Sequence, residues 1–333
     1  MVVKWTKRTI LRLLSLVVLL AGSGAAYQTI ASASDQRTFP PPGRLVDVGG
    51  YRLHLDVMGE DRGGPTVILD SGSQSASFQW GWVQPRVADL AHVVAYDRPG
   101  TGWSDAPPGP TDARELADDL HDALEGVGAE GPYVVVGHSM GSLTARAFAA
   151  RYPEEVAGAV LIDPRNLSLG EDFPEDFPDG TPSDPPLFLR AMSIAGYLGI
   201  MRFTDPLGEY ADQMPRAQAA EATAYSASNK LFGGMWEDVL LAESAVPDIR
   251  EGHYLEGKPV VVVSAGKEDG SFSGDKRARF TETHSEMAES LSPNGEHRIV
   301  GGADHLSIVT NQRHAEAVSG AVEDVVEQGR TEQ

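Results

Sequence analysis

The chain has 333 residues, 48 of them acidic and 27 basic, and a formal net charge of −21. That balance argues against nucleic acid and anionic membrane surfaces as partners, and the length suits one large α/β domain or two small ones. There is no cysteine, so disulfides, thiolate metal sites and cysteine nucleophiles are excluded.

The first 33 residues read as a targeting segment. Lys4, Lys7, Arg8 and Arg12 precede the apolar stretch Leu13 to Ala21, and no charge occurs from Leu13 to Ile30. Such a run approaches the ~20 residues that cross a bilayer as a helix. Its basic flank would face the cytoplasm and the body would be exported. Two outcomes fit: a signal peptide cleaved after Ala31-Ser32-Ala33, or an uncleaved membrane anchor, which is the preferred reading. Residues 34–43, with Pro40-Pro41-Pro42, read as a stiff linker.

From Arg44 the pattern is regular. Arg44–Val48 and Tyr51–Val57 alternate around Gly49-Gly50, a hairpin signal. Thr66–Asp70 and His92–Tyr96 predict short buried strands, and Val83–Leu90 a modest helix between them. Thr111 to Val127 has helical apolar spacing at Leu116, Leu120, Ala123, Leu124 and Val127. Tyr133–Val136 and Val156–Ile162 predict further strands. From Arg165 to about Gly257 the chain is first acidic and proline-rich, then helical, and reads as a cap inserted over the sheet. Pro259–Ala265 resumes the buried-strand pattern, Phe280–Leu291 is helical, Glu296–Val300 is a last strand, and Arg313–Val326 closes the chain as a helix. Alternating strands and helices predict an α/β fold: a mostly parallel sheet of about eight strands, covered on both faces.

Chemistry concentrates after Val136. Gly137-His138-Ser139-Met140-Gly141 lies between a strand and the helical Leu143–Ala150, the setting of a nucleophile elbow. The sharp turn strains the serine and requires small neighbours, which Gly137 and Gly141 supply. A serine hydroxyl needs a base. Of nine histidines, His305 is the choice, because its loop follows the last strand at the sheet edge that carries the elbow. A carboxylate must fix the tautomer of that histidine. Asp269, past the penultimate strand, is preferred; Asp163, ending the strand after the elbow helix, is the alternative, and Glu268 comes third. The oxyanion donors are expected to be the backbone N–H groups of Met140 and of Ser73, the latter following Gly72. No metal motif occurs.

The Gly-His-Ser-Met-Gly elbow, the loop Tyr96-Asp97-Arg98-Pro99-Gly100-Thr101-Gly102-Trp103-Ser104, Arg151-Tyr152-Pro153 and Asp304-His305 together resemble the α/β-hydrolase fold superfamily, in its branch of small-molecule esterases and prolyl-type aminopeptidases. The resemblance runs from Arg44 to about Val326 and is weakest over the cap. It implies a cofactor-free serine hydrolase acting on a small ester or amide; a serine at the elbow sets the chain apart from relatives with aspartate there, the epoxide hydrolases and haloalkane dehalogenases. Three departures stand out. Ser71-Gly72 replaces the common His-Gly of the oxyanion loop. Ser142 stands where glycine is frequent, which would widen helix packing. The interval from Asp269 to His305 is long. A prolyl-type aminopeptidase, with Glu209, Glu221 or Glu243 receiving an amino terminus, is the second reading. A non-catalytic ligand-binding protein on the same fold is the third.

Overall fold

Eight short segments rich in valine, leucine and isoleucine assemble into one sheet in the computed structural model, which describes residues 7–73, 75–167, 179–204, 206–250, 253–268 and 274–331. The order across the sheet is β1-β2-β4-β3-β5-β6-β7-β8. The strands are β1 (Arg44–Asp47), β2 (Arg52–Met58), β3 (Thr66–Asp70), β4 (Val93–Asp97), β5 (Tyr133–His138), β6 (Val156–Ile162), β7 (Val260–Ala265) and β8 (Glu296–Val300). β1 and β2 form the expected antiparallel hairpin, β2 pairs antiparallel with β4, and β3 to β8 run parallel. The central strands β3, β4, β5 and β7 are buried along their whole length. They carry no polar alternation because both faces are covered.

One face packs on the helices Ala113–Val127, Gly141–Arg151 and Asp275–Leu291; the other receives Val83–Ala88 and Gln312–Thr331. Ala113–Val127 begins on a capping box: Asp112 accepts from the N–H groups of Arg114 and Glu115, and Glu115 reaches back to Asp112 N–H. It ends at Gly128 in the left-handed region, φ 76°. Between β6 and β7 the described chain is helical, including Leu187–Tyr197, Arg216–Ser226 and Met235–Glu243. Leu189, Trp236 and Val239 of this segment pack on Met140 and Leu143 at the start of the elbow helix. The inserted layer thus packs on the start of the helix that follows Ser139.

The N-terminal helix runs from Lys7 to Thr38 and is long and apolar enough to cross a membrane. It overruns the expected linker by several residues. Arg202 reaches Asp35 at 2.7 Å within this stretch, and helix becomes unfavourable only at Phe39, the residue before Pro40. The extended connection is therefore confined to residues 39–43.

Gly137 and Gly141 are required by close approach. A Cβ on Gly137 would lie 2.5 Å from Gly141 O and 2.6 Å from Ser142 Cα, and one on Gly141 would lie 2.5 Å from Asp70 O. These contacts are backbone on both sides and have nowhere to move. Gly137→Ala is therefore expected to cost about 1–3 kcal/mol, read as a lowered midpoint in urea unfolding.

Candidate active site

The turn after β5 places Ser139 at φ 51°, a region a non-glycine residue enters only under constraint. The constraint is local. Ser139 N–H donates to Ile162 O at 2.9 Å, and its carbonyl accepts Ser142 Oγ at 2.6 Å and Arg165 N–H at 3.2 Å. Ser142 thus ties the turn together through its hydroxyl. The helix Gly141–Arg151 starts two residues on, with its positive dipole end towards the serine.

His305 lies in the loop after β8, and its Nε2 is 2.8 Å from Ser139 Oγ. Its Nδ1 is 2.6 Å from Asp163 Oδ2. The carboxylate on the histidine is thus Asp163, at the end of β6, where the preferred expectation was Asp269. Asp269 lies outside the described residues, and Glu268 is exposed. Asp163 has φ 40°. Its N–H donates to Val263 O at 2.6 Å, and Ala265 N–H donates to its Oδ1 at 3.0 Å. β7 therefore grips both the backbone and the side chain of the residue that ends β6.

Burial works against the charge of Asp163. The hydrogen bond and charge of His305, the nearby His284 and the guanidinium of Arg277 outweigh it and hold the carboxyl well below the usual range. Arg277 Nη1 sits 2.7 Å and 3.0 Å from the two carboxylate oxygens. An ionised Asp163 can only accept, so His305 carries its proton on Nδ1 and offers Nε2 to the serine hydroxyl.

A second histidine fixes the first. His138 is fully buried, and desolvation lowers its pKa to about 3, so it is neutral. Its Nε2 donates to His305 O at 2.9 Å, and its Nδ1 accepts from Gln79 Nε2 at 3.2 Å. Gln79 Oε1 in turn accepts Gly72 N–H at 3.2 Å. One polar chain therefore connects the loop after β3 with the loop that carries His305. Among the described residues, no backbone acceptor is recorded for the N–H groups of Met140 and Ser73.

Arg98 holds the same loop from beneath. Its Nη1 donates to Asp70 Oδ1 and Ser71 O, both at 2.5 Å, and its Nη2 to Gly72 O at 3.1 Å. The other edge of the guanidinium pairs with Asp238 of the inserted helices, at 2.7 and 2.9 Å. Asp70 is completed by Tyr96 OH and Thr144 Oγ1. Carbonyls drawn towards Arg98 turn the following N–H groups away from it. Burial opposes the charge of Arg98, and Asp238 and Asp70 more than restore it.

Sequence reasoning missed Gln79, Arg98, Arg277 and His284. Arg98 had a signal, since a lone arginine between two buried strand ends must find carboxylates. His284 had none. It is buried in a helix, where its Nε2 donates to Pro164 O at 2.9 Å and its Nδ1 meets Ser264 Oγ at 2.7 Å. The acidic residues considered for an amino terminus differ in setting. Glu209 is exposed. Glu243 lies 3.9 Å from Arg165. Glu221 lines a cavity of about 470 Å³ with Trp103 and Tyr225, whose lining includes neither Ser139 nor His305.

Comparison with known proteins bears on the fold. A family model described as alpha/beta hydrolase fold matches residues 63–312. The probable transporter efuK of Hormonema carpetanum is 34% identical over 125 residues, 36% of this chain and 18% of that protein. The 2-(acetamidomethylene)succinate hydrolase of Mesorhizobium japonicum is 34% identical over 120 residues, 36% of this chain and 42% of that protein. The chain thus spans less than half the length of these relatives. Among solved structures, a thermophilic esterase from Thermogutta terrifontis aligns at TM-score 0.57 with 19% identity, covering 86% of this chain and 100% of that one. A putative epoxide hydrolase from Pseudomonas aeruginosa aligns at TM-score 0.61 with 19% identity, covering 86% and 97%.

Two outcomes follow from the buried charges. Asp238→Ala removes one partner from a buried guanidinium and is expected to cost about 3–5 kcal/mol, measured by chemical denaturation. His138 and His284 have native pKa values lowered by burial to about 3 and about 4, below the ~6.5 of an unfolded histidine. The unfolded chain therefore binds more protons in that interval, and stability rises with pH through it. Thermal melts should show a midpoint that falls as the pH is lowered from about 6.5 to 4, with a shallower fall in His284→Gln.

Proposed function

Because the chain belongs to the alpha/beta hydrolase fold family, we propose that it is a serine hydrolase cleaving a small ester or amide, with Ser139 as nucleophile, His305 as base and Asp163 as the acid that orients it. The observation that carries this reading is the unbroken line of hydrogen bonds from Asp163 Oδ2 through both nitrogens of His305 to Ser139 Oγ, at 2.6 and 2.8 Å. His305 Nε2 takes the hydroxyl proton as Ser139 Oγ attacks the acyl carbon. The new imidazolium is stabilised by the ionised Asp163. The oxyanion is received by the N–H groups of Met140 and Ser73. His305 then protonates the leaving group. Water attacks the acyl-enzyme with the same histidine as base, and free Ser139 and a carboxylic acid result.

An ester is preferred over a peptide with a free amino terminus, because Glu209 is exposed, Glu221 faces a cavity whose lining includes neither Ser139 nor His305, and Glu243 lies against Arg165. The Lys7–Thr38 helix is read as an uncleaved membrane anchor with the catalytic body outside the cytoplasm. Gln28 supports this: it is 4% exposed and donates to Ala227 O at 3.0 Å, so cleavage after Ala33 would open that contact.

Three measurements test the site. Fluorophosphonate labelling should occur in the wild type and be lost in Ser139→Ala. Asp163→Asn should lower kcat by about ten-thousandfold, as expected when the wrong histidine tautomer is favoured, whereas Asp269→Asn should change it little; the opposite ranking would overturn the assignment of the acid. On a chromogenic panel, turnover of p-nitrophenyl esters should exceed that of prolyl arylamides, and the reverse order would favour the aminopeptidase reading.

A further inference from the structure

The charge-free run Leu13–Ile30 rises about 27 Å as a helix, close to the ~30 Å hydrocarbon core of a bilayer. Its outer end does not stand clear of the body. Gly24 passes so near Leu198 that a Cβ would lie 2.5 Å from the Leu198 carbonyl oxygen. Tyr27 stacks on Phe203 with ring centroids 6.5 Å apart. Arg202 then binds Gln28 Oε1 and Asp35 Oδ2, each at 2.7 Å. The inserted helical segment is thus fastened to the helix over the last residues of the apolar run.

Around that joint the surface is unusually apolar. Phe203 is 81% exposed and Ile30 72%, and Ile194, Tyr197, Ile200 and Tyr27 are each about half exposed. Burying them would be favourable at about 25 cal/mol per Å², and aromatic side chains at this level match the belt found at membrane–water interfaces.

We propose that this face of the inserted segment is immersed in the outer boundary of the bilayer crossed by the Lys7–Thr38 helix. The occupant is the acyl-chain and headgroup zone of that membrane. The binding is apolar rather than electrostatic, because a chain of formal net charge −21 is repelled by anionic headgroups. The proposal rests on the anchor reading and is independent of the serine chemistry. The helix that borders this face also sends Leu189 inward to Met140, so the residues next to the nucleophile and the bilayer would be separated by one helix.

The absence of cysteine makes site-directed spin labelling direct. Full-length Phe203→Cys, Ile200→Cys, Val18→Cys and Ser290→Cys, each carrying a nitroxide, are reconstituted in phosphatidylcholine vesicles, and collision rates are measured with oxygen and with a water-soluble nickel chelate. The expected result is an oxygen-to-nickel ratio several-fold higher at Phe203 and Ile200 than at the exposed Ser290 on the far helix, and highest at Val18. A high ratio at Val18 with solvent-like values at both Phe203 and Ile200 would overturn the proposal while leaving the span in place. Solvent-like values at all four positions would overturn both.

Discussion

The structure depends on how one carboxylate is held. Asp163 ends β6 in the left-handed region, gripped by Val263 O and Ala265 N–H of β7 and by Arg277 from the helix that follows. A buried charge is tolerated only when it is paired and fully hydrogen-bonded. Each group that satisfies Asp163 also restricts where it can point, and the remaining direction leads to His305 Nδ1. Proton affinity and geometry are therefore set by the same contacts. A carboxylate kept ionised by His305 and Arg277 imposes one tautomer on that histidine, and that tautomer leaves Nε2 to accept from the Ser139 hydroxyl.

The remaining parts are arranged to hold three loops in mutual register. Ser139 is fixed through Ser142 and Arg165 N–H. The loop after β3 is fixed from below by Arg98 and from the side by Gln79. The His305 loop is fixed by His138, which also meets Gln79. Each is a short polar connection inside a site walled by valine strands, where a hydrogen bond is stronger than in water and an unpaired group costs more. The glycines at 137 and 141 let the elbow approach the neighbouring backbone closely enough for these bonds to form.

Most of the architecture was legible in the sequence, for identifiable reasons. Strands buried on both faces leave unbroken runs such as Val260–Ser264, and amphipathic helices leave spacings such as that from Leu116 to Val127. The elbow was legible because strain demands small residues at fixed offsets. The partner of His305 was not, because the sequence offers both Asp163, at the end of one predicted strand, and Asp269, a few residues past the next, and spacing along the chain does not report which carboxylate turns inward. That turn depends on φ at Asp163 and on hydrogen bonds from β7, about a hundred positions away in the sequence. Gln79, Arg277 and His284 were silent for the same reason: each is an ordinary residue type in an ordinary helix until the tertiary fold brings it to a buried charge. The linker after residue 33 was misjudged in length because the helix gains a tertiary contact at Asp35 that local composition does not display.

The pairing of Arg98 with Asp238 has a consequence for how molecules reach the serine. The roof over the sheet is riveted to the floor by a guanidinium that also supports the loop after β3. Hinging the roof upward would expose that cation and dismantle the support it gives to Gly72. A cover that swung open would therefore have to break a buried ion pair first.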